Sequence, residues 1–237
     1  MNSPVLEQNE VERVFDRIAH RYDQFNSLAS FGLDRAWRRT LIRRLPGHCD
    51  ILDLGCGTGV LTSQVSERPG ASGRVLGVDI SADMLRCARR NQTRVPSPLA
   101  STLLRASGAD IPVVSASFDR VISAFVLRNV RSQMPRVLDE VFRVLRPHGQ
   151  VLMLDLGKPG SAWMQNGHRW YLNRVLPRIG RVLTGTQEPF EYLSASILEF
   201  MEPEEVVRTM KEVGFCKSGF DAVYGGLVGI YWAEKDR

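Results

Sequence analysis

A short glycine-rich loop carries the clearest chemical signal in this chain. It runs Asp53-Leu-Gly-Cys-Gly-Thr-Gly59 and follows an apolar pair, so that it stands where a strand is expected to end. Gly55, Gly57 and Gly59 can take positive φ or let a ligand approach where a Cβ would clash, and the next residues open a predicted helix whose amides face the loop. The pattern predicts a cradle for a nucleoside cofactor.

A second acid strengthens this interpretation. The run Arg74-Val-Leu-Gly-Val-Asp79 lies about twenty residues beyond the loop and is predicted to be a strand that ends in a carboxylate. An acid at this position can accept hydrogen bonds from ribose hydroxyls.

The glycine spacing indicates which nucleoside. A nicotinamide fingerprint, G-x-G-x-x-G, holds a pyrophosphate, but here Val60 stands at the third glycine position and Asp53 precedes the loop. The pattern D-x-G-x-G-x-G resembles motif I of class I S-adenosylmethionine-dependent methyltransferases. The resemblance implies that Asp53 and the loop accommodate the amino-acid part of that cofactor and that Asp79 holds its ribose.

The elements that must position these residues alternate along the chain. A helical region over about 6–45 is expected to form an N-terminal cap, and strands are predicted near 50–54, 74–79, 101–106, 118–125 and 150–156 with helices between them. Two further strands are predicted near 218–222 and 227–233. This order predicts an α/β fold with a doubly wound, Rossmann-like, mostly parallel sheet and an antiparallel C-terminal strand, in which ligands collect at the carboxyl ends of the strands.

Three local signals refine this assignment. Ser81 is predicted to cap a helix that begins at the next residue, with Asp83 in the first turn. The helix over 134–145 should end at Pro147-His-Gly149, and a helix over 163–183 should be interrupted near Pro177. Another helix should begin at Pro203.

Composition favours one domain of 237 residues, with 43% hydrophobic content and no repeat or linker. The N-terminal residues lack an apolar signal core and no run reaches the roughly 18 apolar residues of a membrane span, so a cytoplasmic protein is expected. The four cysteines show no C-x-x-C pairing and the four histidines no ligand spacing. No metal site is predicted.

The net charge of +5 is concentrated on the segment from Arg35 to Arg44, which also carries Trp37, Leu41 and Ile42. Such a helix could lie on an anionic membrane, so that the protein is peripheral at the inner face of the cell membrane, or it could be a solvated basic face. Nucleic-acid binding is typically indicated by aromatic residues interleaved with more basic ones, so it is not predicted here. Whether the chain forms a homo-oligomer stays open.

A more specific resemblance lies after the fourth predicted strand. Phe125-Val-Leu-Arg-Asn-Val130 resembles the F-G-x-R-N-V signature of the C-methyltransferases that make menaquinone and ubiquinone, and the likeness runs from about Val11 to the C-terminus. The other matching stretches are 14–23 with Asn26, 30–32 with Trp37 and Arg38, 144–149, 175–180 and 192–197.

The resemblance implies a role for each matching position. Arg128 and Asn129, with Tyr22 from the cap, would line the catalytic pocket. Thr58 and Asp79 would bind the cofactor, and Ser107 and Gly108 would neighbour its adenine. Departures from the family pattern stand at three positions: Ser107 in place of Asp or Asn, Ala124 in place of Ser, and Val126 in place of Gly, the last of which could narrow the substrate pocket.

The implied reaction is C-methylation of a reduced, prenylated quinol. The reduced ring is required because a quinone carbon is electrophilic, whereas an ionised hydroxyl of the quinol makes the adjacent carbon nucleophilic. Arg128 and Asn129 could orient a water as base and stabilise the phenolate. Demethylmenaquinol is the first expectation and the benzoquinol of the ubiquinone route the second; the alternatives are an O- or N-methyltransferase of secondary metabolism and a non-catalytic binding protein.

Overall fold

The computed structural model describes residues 8–94, 101–157, 159–185 and 188–236. Within these ranges seven strands form one sheet in the order β3-β2-β1-β4-β5-β7-β6. The strands are β1 Ile51–Leu54, β2 Val75–Asp79, β3 Ser101–Arg105, β4 Phe118–Ala124, β5 Leu145–Leu156, β6 Lys217–Val223 and β7 Val228–Glu234. The first five are parallel, and β7 lies antiparallel between β5 and β6. This confirms the predicted fold class.

Helices surround the sheet and form a separate layer above its carboxyl edge. They are α1 Gln8–Ile18, α2 Tyr22–Ala29, α3 Leu33–Ile42, α4 Val60–Ser66, α5 Ala82–Arg94, α6 Met134–Val144, α7 Ala162–Trp170, α8 Leu176–Thr184, α9 Glu188–Leu198 and α10 Pro203–Val213. The N-terminal cap predicted over 6–45 therefore consists of α1, α2 and α3; residues 6 and 7 lie outside the described residues.

Strand alternation supplies a core on each face of the sheet. In β4, for example, Val121 packs with α6 and α10, whereas the next residue, Ile122, packs with α3 and α4. The amphipathic face of α6 fits this arrangement, because its buried residues follow helical spacing. Both faces are therefore covered, as expected for parallel strands.

A third core joins the N-terminal helices to helices from the second half of the chain. Ile18 and Phe25 of the N-terminal helices pack against Leu172, Phe190 and Leu193 from the C-terminal helices. The rings of Phe25 and Phe190 are 4.3 Å apart between centroids. These helices thus form a roof over the carboxyl ends of the strands, where the sequence places the functional residues.

The structure refines several predicted elements. Ser81 caps α5 as predicted, since its Oγ accepts a hydrogen bond from the backbone N–H of Met84 at 3.0 Å. The long C-terminal helix is interrupted by a π-helical turn at Tyr171–Val175, just before Pro177, whose ring and missing N–H do not fit a regular helix interior. The strand predicted from 150 already begins at Leu145, with a shift of register around its turn residues.

Helix α9 was not predicted as a separate element. Its buried residues Phe190, Leu193, Ser194 and Ile197 do have helical spacing, but the buried Ser194 and the adjacent Ser196 dilute the apolar pattern. Among the described residues, no helix is long and apolar enough to cross a membrane.

Candidate active site

The glycine loop connects β1 to α4 at the point where the strand order reverses between β1 and β4. Gly55, Gly57 and Gly59 have φ values of +66°, +55° and +78°. A Cβ on Gly59 would lie 3.1 Å from the Cβ of Ala88, so glycine lets α4 and α5 approach closely. The loop therefore has the backbone that its sequence predicted.

Asp79 closes the loop from the neighbouring strand. Its carboxylate accepts hydrogen bonds from the backbone N–H of Gly57 at 2.7 Å and of Ser81 at 2.9 Å. Burial raises its pKa to about 6, against the opposing effect of these hydrogen bonds. Asp79 thus ties the glycine loop to the start of α5 and presents a carboxylate at the cavity between them.

Asp53 lies at the base of the same cavity with an unused acceptor. Thr62 donates its hydroxyl to Oδ2 at 2.6 Å, whereas Oδ1 is buried and has no hydrogen-bond partner in the described part of the chain. Burial raises the pKa of Asp53 to about 7, although Thr62 and the nearby Arg38 favour the charged form. A buried oxygen without a partner is costly, so this geometry fits a ligand that brings a donor.

These groups surround a cavity of about 140 Å³. The sequence-predicted residues that line it are Tyr22, Asp53, Gly55, Gly57, Thr58, Asp79, Ser107, Gly108 and Asn129. The orphan Oδ1 of Asp53 suits the ammonium of an amino acid, and Asp79 suits a ribose. The residues present therefore fit the S-adenosylmethionine that the sequence implies.

The N-terminal helices are held over this cavity by carboxylates. Asp23 of α2 accepts the hydroxyl hydrogen of Thr58 at 2.6 Å, and Asp16 of α1 accepts that of Ser81 at 2.5 Å. The Thr58 hydroxyl is therefore committed to the cap, so a direct role of Thr58 towards the cofactor would rest on its backbone or methyl group.

Arg128 lies beside the cofactor cavity but does not line it. Its guanidinium is buried and pairs with the fully buried Asp155 of β5, with an Nη1–Oδ1 distance of 2.5 Å. The backbone N–H of Arg128 donates to the same carboxylate at 3.3 Å. Its Nε is buried and has no hydrogen-bond partner among the described residues. Arg128 thus holds this unsatisfied donor in a fixed position.

Asn129 makes different contacts from Arg128 and lines the other cavity. Its Nδ2 donates to the carbonyl of Phe125 at 3.1 Å, and the Tyr192 hydroxyl donates to its Oδ1 at 3.4 Å. Burial raises the pKa of Tyr192, while the nearby Arg128 opposes this effect. The predicted Arg-Asn pair is therefore divided, with Asn129 on the cofactor side and Arg128 on a second cavity.

The second cavity, of about 420 Å³, lies under the helical roof. Its walls are mainly apolar and come from both ends of the chain, with Phe25 and Trp37 on one side and Leu172 and Leu193 on the other. Arg128 is at its inner end, and Phe31 and Trp163 stand at its rim with 81% and 77% of their surface exposed. Such a cavity can hold an elongated apolar group.

Sequence reasoning missed three residues of this site. Asp155 and Tyr192 surround Arg128 and Asn129, and Arg38 lines the cofactor cavity. Arg38 had been grouped with the basic helix, but the structure corrects this: its side chain is buried and pairs with Asp34 at 2.6 Å. The i, i+4 spacing of Asp34 and Arg38 could have indicated the pair. Nothing local signalled Asp155, which is distant in sequence.

Val126 also has a defined place. A Cβ on Gly55 would lie 2.4 Å from a Cγ of Val126, so the valine packs against the glycine loop. It lines the cofactor cavity and is absent from the lining of the apolar one. Any narrowing by Val126 would therefore affect the cofactor cavity and not the apolar one.

Known proteins resemble the chain over almost its whole length. The model of the ubiE/COQ5 methyltransferase family matches residues 3–235. A protein named demethylmenaquinone methyltransferase, from Symbiobacterium thermophilum, is 34% identical over 243 residues, covering 99% of this chain and 96% of its own length. A ubiquinone/menaquinone biosynthesis C-methyltransferase UbiE of Rickettsia bellii is 32% identical over 232 residues, covering 96% and 93%.

The fold has its own match among solved structures. A SAM-dependent methyltransferase of Thermotoga maritima, described as a possible histamine N-methyltransferase, has a TM-score of 0.68. It covers 95% of this chain and 100% of its own length, with 16% sequence identity. At that identity the likeness establishes the fold of class I methyltransferases and nothing about the substrate.

We predict that Asp79→Ala weakens binding of S-adenosylmethionine and of its demethylated product by about 1.5 to 3 kcal/mol, because the ribose loses a charged acceptor. Calorimetry measures the affinity. Asp83→Ala is the matched control, since Asp83 lies in the first turn of α5 and does not line the cavity. Unchanged affinity in Asp79→Ala would remove Asp79 from cofactor binding.

We also predict opposite pH trends for stability and cofactor affinity. With pKa values near 7 and 6 against an ordinary 3.8, Asp53 and Asp79 hold more protons in the folded than in the unfolded state between about pH 4 and 7. Their contribution to the stability of the ligand-free protein therefore falls as the pH rises through this window. Affinity for the demethylated cofactor should rise there, because an ammonium needs the Asp53 carboxylate.

Thermal unfolding and calorimetry at pH 5.5, 6.5 and 7.5 test both trends. Asp53→Asn is the control. An asparagine cannot titrate at this position, so both stability and affinity should depend less on pH in this variant than in the wild type. An affinity that falls with rising pH in the wild type would contradict a carboxylate–ammonium contact at Asp53.

Proposed function

The chain belongs to the ubiE/COQ5 methyltransferase family, and from that premise we propose that it methylates a ring carbon of a reduced, prenylated quinol. It is an S-adenosylmethionine-dependent methyltransferase. The bound cofactor supplies an activated methyl group on a sulfonium. The protein must therefore bring one nucleophilic carbon in line with that methyl group, and orientation alone can supply several kcal/mol of the barrier.

We assign the cofactor to the cavity at the glycine loop. Asp53 Oδ1 would take the ammonium of the amino-acid part, Asp79 the ribose hydroxyls, and Ser107 and Gly108 the neighbourhood of the adenine. The orphan oxygen on Asp53 and the ring of groups around the cavity support this assignment.

The unpartnered Nε of Arg128 at the inner end of the apolar cavity carries the substrate proposal. A prenyl chain fits the apolar walls, and a quinol oxygen placed at the inner end would accept a hydrogen bond from Nε. Such a donor stabilises the phenolate as it forms, and it acts in a site from which water is largely excluded. Because Asp155 already neutralises the guanidinium, Arg128 acts mainly as a fixed donor.

Asn129 would help to remove a proton from the substrate by orienting a water molecule. Hydrogen bonds to Phe125 and from Tyr192 fix its amide, so one lone pair of Oδ1 remains to orient a water in the cofactor cavity. Tyr22 lines the same cavity, with its ring packed edge-on against Phe15 at 5.7 Å between centroids. Arg128 is already protonated and cannot accept a proton, so an oriented water takes the hydroxyl proton of the quinol and passes it to solvent. After the methyl group bonds to the ring carbon, the hydrogen on that carbon leaves as a proton by the same route, and the phenolate oxygen regains a proton.

Relatives with quinone substrates in their names favour carbon methylation over the alternatives. One is named for demethylmenaquinone and another as a C-methyltransferase of ubiquinone and menaquinone biosynthesis. An O- or N-methyltransferase of secondary metabolism is not favoured, because the match spans the whole chain. We propose a naphthoquinol as the first substrate and a benzoquinol as the second.

We propose further that the rim of the apolar cavity docks on an anionic membrane. Phe31, Leu33 and Trp163 are exposed there. Exposed arginines at positions 35 and 39 of α3 and at position 43, its C-cap, follow an i, i+4 spacing, which places them on one face. An apolar rim flanked by arginines suits lipid headgroups above and a prenylated substrate below.

The quinol proposal predicts the result of an assay with labelled methyl cofactor and reduced quinones. We expect carbon methylation of a prenylated naphthoquinol, and a loss of about two to three orders of magnitude in kcat for Arg128→Lys. The ammonium keeps the charge beside Asp155 but lacks the planar fork that offers Nε to the substrate.

Arg131→Lys is the matched control, because Arg131 lies in the same 3₁₀ segment, Leu127–Gln133, and is exposed. Cofactor affinity and thermal unfolding of the Arg128→Lys variant should stay near wild type. Near-normal turnover would remove Arg128 from the mechanism, and methylation on oxygen would overturn the reaction class.

The membrane proposal predicts the behaviour of two triple variants in vesicle co-sedimentation. Arg35, Arg39 and Arg43 changed to Gln should reduce binding to phosphatidylglycerol-containing vesicles, and added salt should reduce wild-type binding as well. Arg86, Arg89 and Arg90 changed to Gln remove the same charge from the exposed side of α5 and should leave binding intact. Equal loss in both variants would indicate general charge attraction without a docking face.

A further inference from the structure

Phe125 is the one described residue that lines both cavities. It follows the last residue of β4 directly, with the cofactor cavity on one side and the apolar cavity on the other. A quinol held in the apolar cavity must bring its reacting carbon to the methyl donor in the other cavity. The path between them passes the Phe125 side chain.

The backbone at Phe125 is held in an unusual conformation. Its φ is +67°, in the left-handed region that disfavours residues with a side chain. Its N–H donates to the carbonyl of Leu154 at 2.7 Å, and its own carbonyl accepts from Asn129 at 3.1 Å. Because both backbone groups are bonded, the main chain is fixed and the ring is aimed by it between the cavities.

Two cations hold the ring in this position. The guanidinium carbon of Arg38 lies 5.0 Å from the ring centroid, and that of Arg128 lies 5.8 Å away. Each arginine is itself fixed by a buried carboxylate, Asp34 or Asp155. The ring therefore occupies a place that suits an electron-rich aromatic system between two guanidinium groups.

From this arrangement we infer that Phe125 is the partition between the cavities and that its size determines which quinol ring reaches the methyl donor. The inference rests on the proposed quinol substrate. An electron-rich quinol ring is also attracted to guanidinium groups, so it can take up the space beside Arg128 when the ring of Phe125 turns aside. A wider ring needs a larger displacement than a narrow one.

The test compares two quinols that carry the same prenyl chain, one with a naphthoquinol and one with a benzoquinol head group. The measured quantity is the ratio of kcat/KM for the naphthoquinol to kcat/KM for the benzoquinol. In Phe125→Trp we expect this ratio to fall at least fivefold, and in Phe125→Leu to rise at least fivefold.

The ratio separates selection from mere damage to the fold, since a smaller folded fraction lowers both kcat/KM values equally. Phe215→Leu is the matched control, because Phe215 is buried in the core, lines neither cavity and undergoes the same chemical change. Its ratio should remain that of the wild type. If Phe125→Trp or Phe125→Leu leaves the ratio unchanged while the wild type methylates either quinol, the inferred role of Phe125 is refuted. If the wild type methylates neither quinol, the proposed function fails and this inference fails with it.

Discussion

The buried ion pair between Arg128 and Asp155 is the constraint around which the two cavities are arranged. Asp155 is fully buried on β5, so an unpaired carboxylate there would cost several kcal/mol, and the guanidinium cannot leave it. The pair fixes the segment after β4 against β5 through both the side chain and the backbone N–H of Arg128. Phe125 and Asn129 belong to that segment, and Tyr192 of α9 donates a hydrogen bond to Asn129.

This constraint changes what the arginine can contribute to chemistry. A free guanidinium would offer a full positive charge to a developing phenolate, but one paired at 2.5 Å offers chiefly direction and its unsatisfied Nε donor. Truncating the arginine would also leave Asp155 charged and unpaired, which would confuse loss of catalysis with loss of stability. The two roles can be separated only by substitutions that keep a cation beside Asp155.

The sequence predicted the cofactor half of the site better than the substrate half, and the reason is physical. Asp53, the three glycines and Asp79 act through the backbone of one strand–loop–helix unit and the strand beside it, so local spacing is enough to recognise them. Arg128 and Asn129 were identified by resemblance, yet their division between two cavities depends on Asp155 and Tyr192, from distant elements. The apolar cavity is built mainly from the N-terminal helices and from helices in the second half of the chain. No local sequence pattern shows that these segments meet.

The roof explains why these distant pieces must meet. Asp53 and Asp79 stand at the carboxyl ends of the parallel strands, where entering solvent could reach them. Burial under the roof raises the pKa values of both acids. Asp16 and Asp23 fasten the N-terminal helices to residues of the cofactor cavity, while the third core fastens the same helices to α8 and α9. One layer of helices therefore closes the cofactor cavity and walls the apolar one, so the same contacts hold both cavities in place.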